Sequence, residues 1–125
     1  MEKINIGIIG FGFVGSAVEY GFSPQTGCDF TNIRVYDTDK NKSRNTLDET
    51  VNESEFIFLS VPTPANKDGS INTDIIKSAI KDINSVNKIA SNIILIRSTV
   101  TPGTTREIQK LYPNLNIVFN PEFLT

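Results

Sequence analysis

The chain has no histidine at all and a single cysteine, Cys28. Without histidine the usual zinc sites and the usual imidazole base are absent, so no metal is expected and proton chemistry falls to carboxylates, hydroxyls, lysine or water. One cysteine cannot form an internal disulfide, and Cys28, between Gly27 and Asp29, reads as an ordinary loop thiol without a role. Long apolar runs are missing too. Stretches such as residues 93–96 fall far short of the roughly 20 residues that cross a bilayer, so no membrane association is expected. Charge of one sign is equally scarce: 12 basic residues stand against 14 acidic ones, which leaves no electrostatic footprint for nucleic acid. Met1-Glu2-Lys3 leads straight into a strand-like segment, without a basic start and long apolar leader, and a cytoplasmic location is the expectation.

What is present suits one globular domain. The 125 residues are 38% hydrophobic and 21% charged, with no repeat, linker or low-complexity tract, so a single core is expected over residues 1–125. Short β-branched runs alternate with longer stretches of helical spacing, which argues for a parallel sheet. Strands are expected at residues 3–9, 33–36, 56–61, 93–97 and 116–119. A helix should run from the glycine-rich turn after the first strand to about Phe22, with Val14, Ala17 and Val18 facing the sheet. Between Thr38 and Glu53 the pattern is weak, with a very short strand near Thr46 and a helical turn around residues 48–52. The clearest helix spans residues 73–88, where Ile75, Ile76, Ala79, Ile80, Ile83 and Val86 define an apolar face. Asp68-Gly69 should form a turn, and Thr104 with Glu107 a capping box for a last helix to about Leu111.

Gly10, Gly12 and Gly15 form G-x-G-x-x-G, a weak signal alone. Here it follows a strand, opens a helix, and is followed about 20 residues further on by Asp37 at the end of the next strand, the context of a dinucleotide site. The first glycine permits the tight turn, the second admits a pyrophosphate to the backbone, and the third lets helix and strand pack closely. The competing reading is a turn chosen for its backbone angles alone. Asp37 is either an acid at a strand end or a carboxylate that accepts hydrogen bonds from the adenosine ribose and repels a 2′-phosphate, favouring NAD over NADP. Lys42 lies close in sequence, although Lys40, Lys42 and Arg44 read equally well as a solvated cluster.

Three further segments sit at the C-terminal ends of expected strands, where open α/β sheets hold ligands: Val61-Pro62-Thr63-Pro64, then Ser98-Thr99-Val100-Thr101-Pro102-Gly103-Thr104-Thr105, and Asn120-Pro121-Glu122-Phe123-Leu124. Singly, each reads equally well as a proline-terminated strand end. Jointly and in this order, they and the glycine turn resemble the nucleotide-sugar dehydrogenases, particularly the UDP-glucose 6-dehydrogenases, over nearly the whole chain. The resemblance implies a Rossmann-type doubly wound sheet in a three-layer α/β/α domain, with strand 56–61 beside the first strand. It implies NAD contacts from Gly10, Phe11, Gly12, Phe13, Val14, Gly15, Asp37, Lys42, Val61, Pro62, Thr63, Ser98 and Thr99. Thr99 and Glu122 would serve catalysis, ordering a water and managing protons while an alcohol becomes an aldehyde and then an acid. Glu122, Phe123 and Leu124 would contact the UDP-sugar, the last two through their backbone.

The sequence departs from the family in two ways. The thiol that captures the aldehyde, the lysine and asparagine that orient the sugar, and a second glutamate expected shortly after Leu124 would belong to a later part of the enzyme, and Cys28 cannot stand in for the thiol. The stretch between Asp37 and Phe56 is also shorter than usual. The expectation is therefore a dinucleotide-binding half that turns over nothing by itself, whose exposed apolar surface favours self-association into a homo-oligomer. Two alternatives stand beside it: half of another dehydrogenase, acting on a hydroxy acid or phosphogluconate, and a module that senses NAD without chemistry.

Overall fold

The computed structural model describes residues 3–10, 12–22, 31–98, 100 and 103–119, with residues 13 and 14 described as backbone only. Strands and helices alternate: β1 (Ile4–Ile9), α1 (Phe13–Gly21), β2 (Thr31–Tyr36), α2 (Leu47–Asn52), β3 (Phe56–Leu59), α3 (Asp74–Val86), β4 (Ile93–Ile96), α4 (Thr104–Leu111) and β5 (Asn116–Phe119). The five strands form one sheet in the order β2-β1-β3-β4-β5. Every neighbouring pair is parallel. The chain moves outward from β1 to β2 and returns to β3 on the other side of β1, so β1 and β3 flank the switch point at which such sheets bind ligands. This is the doubly wound α/β architecture expected from the sequence.

Alternation along each strand divides the apolar side chains between two faces. On one face Ile9, Ile57, Leu59, Ile94 and Ile96 meet Val51 of α2, Ile76, Ile80 and Ile83 of α3, and Ile108 of α4. On the other, Ile6, Ile8 and Val35 meet Val18 of α1, with Phe22 and Phe58 packed alongside. The two phenylalanine rings lie 5.7 Å apart in a tilted arrangement, within the range at which aromatic pairs attract. Among the described residues α1 alone covers this second face. A hollow of about 620 Å³ remains beside it, lined by Phe56, Phe58 and Leu95 among others, and Val118 on the neighbouring strand is 46% exposed.

Asparagine amides close the end of the sheet away from the switch point. Buried Asn92 donates to the Val51 carbonyl at 3.1 Å, Asn52 donates to the Val86 carbonyl at 2.8 Å, and Asn116 donates to the Ala90 carbonyl at 2.8 Å. Each satisfies a backbone acceptor that a helix end or loop would otherwise leave without a partner.

Several local expectations need correction. No strand forms near Thr46. That residue is instead the N-cap of α2, with its hydroxyl accepting from the Glu49 amide at 3.1 Å while the Glu49 carboxylate accepts from the Thr46 amide at 3.4 Å. The capping box expected at Thr104 and Glu107 is not made: Gly103, with φ 90°, occupies the N-cap and Thr104 is already helical. Glu107 pairs instead with Lys77 of α3 at 3.2 Å. Ala17 does not pack into the sheet; it is exposed at the rim of the hollow beside α1. Ile75, expected on the core face of α3, is 42% exposed. The helix buries Ile76, Ile80 and Ile83 completely, and that stripe is one position away from Ile75 around the helix.

Candidate functional site: a dinucleotide cleft at the switch point

The glycine turn is built as its spacing suggests. Gly10 has φ 90°, a conformation that side chains disfavour, and a Cβ there would lie 2.8 Å from the Ser60 carbonyl oxygen at the end of β3. Its amide donates to the Tyr36 carbonyl at 3.0 Å, tying the turn to the end of β2. A Cβ on Gly15 would overlap the Gly10 carbonyl oxygen, so α1 packs against β1 only because that side chain is absent. Around Gly12 the reverse holds: among the described residues, a Cβ there would meet nothing within 4 Å. Space over this residue is open to an approaching group.

The start of α1 suits an anion. Gly12 is its N-cap, without a side-chain hydrogen bond, and no acidic residue stands in the first turn. The first amide groups of a helix lack intrahelical acceptors and sit at the positive end of its dipole. In α2, Thr46 and Glu49 supply acceptors from within the chain. In α1 no capping side chain does so, and the residues present therefore fit a pyrophosphate at Gly12.

Beside the turn a cleft of about 330 Å³ opens, lined by Gly10, Tyr36, Asp37, Val61 and Pro62 together with residues of α2 and α3. Its volume falls within the range of small-molecule sites. Asp37 is held in place at the cleft: its Oδ1 accepts the Asp39 amide at 2.8 Å, and its own amide donates to the Ser43 hydroxyl at 3.1 Å. The segment carrying Asp37 and Lys42 is fastened to α1 by an ion pair between Arg44 and Glu19. Hydrogen bonding to Glu19 raises the Arg44 pKa, against a smaller opposing effect of burial. Such a pair on the surface contributes little stability, roughly 0.2–1 kcal/mol, but it joins the two elements that flank the turn.

Among the remaining expected site residues, Ser98 lies behind the cleft wall: it is buried and its hydroxyl donates to the Val61 carbonyl at 2.7 Å. It therefore holds the Val61-Pro62 segment against the cleft. Thr63 is half-buried just beyond, whereas Lys42 is exposed and does not line the cleft. Phe11, Thr99, Glu122, Phe123 and Leu124 lie outside the described residues, as do the side chains of Phe13 and Val14. The structure adds residues that the sequence did not suggest: Leu47 at the start of α2, and Asp74, Ile75, Ser78 and Asp82 along α3. One signal could have found the last four. They recur at helical spacing on a stripe beside the core-facing isoleucines, where an isoleucine has no core to join.

Comparison with known proteins agrees with this geometry. The family model described as the UDP-glucose/GDP-mannose dehydrogenase family, NAD binding domain, matches residues 33–125. An uncharacterized protein of Methanocaldococcus jannaschii is 32% identical over 149 residues, covering 97% of this chain and 16% of that protein. The UDP-glucose 6-dehydrogenase AglM of Haloferax volcanii is 25% identical over 159 residues, covering 97% of this chain and 36% of that enzyme. Both alignments are longer than this 125-residue chain, so these relatives carry insertions with respect to it. A ternary complex of GDP-mannose dehydrogenase from Pseudomonas aeruginosa shares the fold with a TM-score of 0.76 at 20% identity, over 96% of this chain and 36% of that one. The chain thus spans well under half the length of these relatives. With residues 33–125 matched and a glycine turn whose open backbone suits the cofactor NAD, the chain belongs to the UDP-glucose/GDP-mannose dehydrogenase family, as its NAD binding domain.

Proposed function

We propose that this chain supplies the NAD-holding half of an enzyme that oxidises the C6 alcohol of a UDP-sugar to a carboxylate, and that it is inactive alone. Residues 1–125 form one domain in this reading. The observation that carries it is the placement of the family's segments. Val61-Pro62 follows β3 and lines the cleft beside Gly10 and Asp37, and Ser98 follows β4 and bonds to Val61. Asn120-Pro121-Glu122-Phe123-Leu124 continues directly from β5 in sequence.

The assigned roles follow from chemistry. Bound in this cleft, NAD would supply the hydride acceptor for the two oxidations, and the residues of this chain would hold and orient it. The α1 amides bind the pyrophosphate through Gly12, and the carboxylate of Asp37 accepts from the ribose hydroxyls and repels a 2′-phosphate. Val61, Pro62, Thr63 and Thr99 are assigned to the cofactor, with Phe11, Phe13 and Val14 contributing from the turn. Ser98 acts on it through Val61 from behind the cleft wall, and Lys42 is assigned to it from outside the cleft lining. Thr99 and Glu122 are assigned to catalysis, Glu122 as the carboxylate that orients and deprotonates water. Glu122, Phe123 and Leu124 are assigned to the sugar nucleotide. Inactivity of the isolated chain follows because half of the pocket that must hold substrate and exclude water would come from elsewhere.

Calorimetric titration of the chain with NAD, NADP and UDP-glucose tests this reading. NAD should bind, NADP should bind at least about tenfold more weakly because of Asp37, and no NADH should form when NAD and UDP-glucose are present together. Failure to bind NAD, or equal affinity for NAD and NADP, would overturn it.

A further inference from the structure

Beyond that reading, and resting on it, the geometry points to a base-reading wall on α3: Ser78 and Asp82 accept the amino hydrogens of the cofactor's adenine, while Ile75 and Leu47 hold the faces of its ring. The order of groups in a dinucleotide makes the placement. With the pyrophosphate at Gly12 and the ribose at Asp37, the base occupies what remains of the same cleft, between α2 and α3.

Two independent features of that part of the cleft describe its occupant. The first is apolar. Ile75 is 42% exposed although the neighbouring stripe Ile76, Ile80 and Ile83 is fully buried, and it faces the cleft together with Leu47 and Ala79. An exposed isoleucine beside a saturated core stripe adds nothing to the core, but it offers a face to a flat apolar ring. The second is polar and of one kind. Asp74, Ser78 and Asp82 follow one another at intervals of four residues, which places them on a single line down the helix spanning about 12 Å. All three line the cleft, and no lysine or arginine does. Relative to the other described residues, the side chains of Ser78 and Asp82 make no hydrogen bond or ion pair.

A flat apolar slot with hydrogen-bond acceptors along one wall selects a ring that carries a donor on its edge. Adenine has an amino group at that position; hypoxanthine and guanine carry a carbonyl oxygen there. A carboxylate opposite that position strengthens the hydrogen bond from adenine's amino group and repels the 6-carbonyl of hypoxanthine or guanine, whose own donor, N1–H, sits one ring position away, so the wall favours adenine. A bound cation is the competing use of such acids, but among the described residues no group of three acidic, histidine or cysteine side chains is placed to hold one.

The test compares NAD with nicotinamide hypoxanthine dinucleotide, which differs only at that edge of the base, binding to the wild-type chain and to the Ser78→Ala/Asp82→Asn double variant. Both side chains are exposed, and circular dichroism should show the variant folded. The wild type should prefer NAD by about tenfold or more, the effect of one charge-assisted hydrogen bond, and the variant should lose most of that preference. Wild-type affinities equal within twofold, or an unchanged preference in the folded variant, would overturn the base-reading wall while leaving NAD binding at the glycine turn intact. Binding of neither dinucleotide to the wild type would overturn both readings together.

Discussion

The α-carbon of Gly15 and the carbonyl oxygen of Gly10 are packed so closely that a methyl group on Gly15 would overlap that oxygen. Gly12, between them in sequence, has no described residue within 4 Å of where its side chain would be. Alanine at these two positions should therefore act on different properties. Gly15→Ala must push α1 off β1 and should destabilise the fold by about 1–3 kcal/mol or more, visible as a lower urea midpoint. Gly12→Ala should leave that midpoint nearly unchanged and weaken NAD binding at least about tenfold, because the methyl group fills the space the pyrophosphate needs. If both variants lost stability equally, the separation of packing from binding would be wrong.

Asp37→Ser should narrow the gap between NAD and NADP, since a hydroxyl still bonds to ribose but no longer repels a 2′-phosphate. Paired titrations of wild type and variant measure this directly. An unchanged ratio of the two affinities would place the ribose elsewhere.

Thr46→Ala removes the acceptor for the Glu49 amide and one half of the reciprocal cap that starts α2. The expected loss is about 1 kcal/mol. Leu47 begins that helix and lines the cleft, so NAD affinity should fall as well. Thermal melts and titration of the same preparation separate the two effects. A variant as stable as wild type would show that the cap contributes nothing.

Asp68 is fully exposed, yet its pKa lies below the ordinary 3.8 because the Ser70 hydroxyl and amide donate to its carboxylate. A depressed folded-state value means that this contribution is present above pH 3.8 and is lost as the pH falls through the lower folded-state value. Carbon-detected NMR titration should show the Asp68 midpoint below 3.8, and Ser70→Ala should return it towards that value. A midpoint at 3.8 in the wild type would contradict the contact.

Much of this architecture can be read from residue order alone, because buried parallel strands leave continuous β-branched runs and the glycine spacing has few uses after a strand. The strands around Ile8, Ile57 and Ile94 follow from that pattern. The errors come from signals that do not separate neighbouring causes. Helical spacing places Ile75 with Ile76 and Ile80, but it cannot distinguish an apolar side chain facing a core from one facing a cleft. A threonine three residues before a glutamate occurs at both Thr46 and Thr104. The backbone selects the first, since Gly103 in the left-handed region already starts α4. The acceptor line Asp74-Ser78-Asp82 was not legible as part of a site because exposed acids on a helix usually mark nothing more than its solvated face.

The chain that returns from Asp37 along β2 has a consequence for the edge of the sheet. Val35 on β2 turns its amide and carbonyl outward, and both are occupied by the returning chain: the Asn45 side chain accepts from the amide at 2.9 Å, while the Arg44 and Asn45 amides donate to the carbonyl at 3.0 and 2.8 Å. A side-chain amide thus takes the place of a neighbouring strand and seals the upper part of that edge. Among the described residues the two borders of the sheet therefore differ: at β2 the outward backbone groups of Val35 are already taken by the returning loop, whereas no described loop bonds to the outer side of β5.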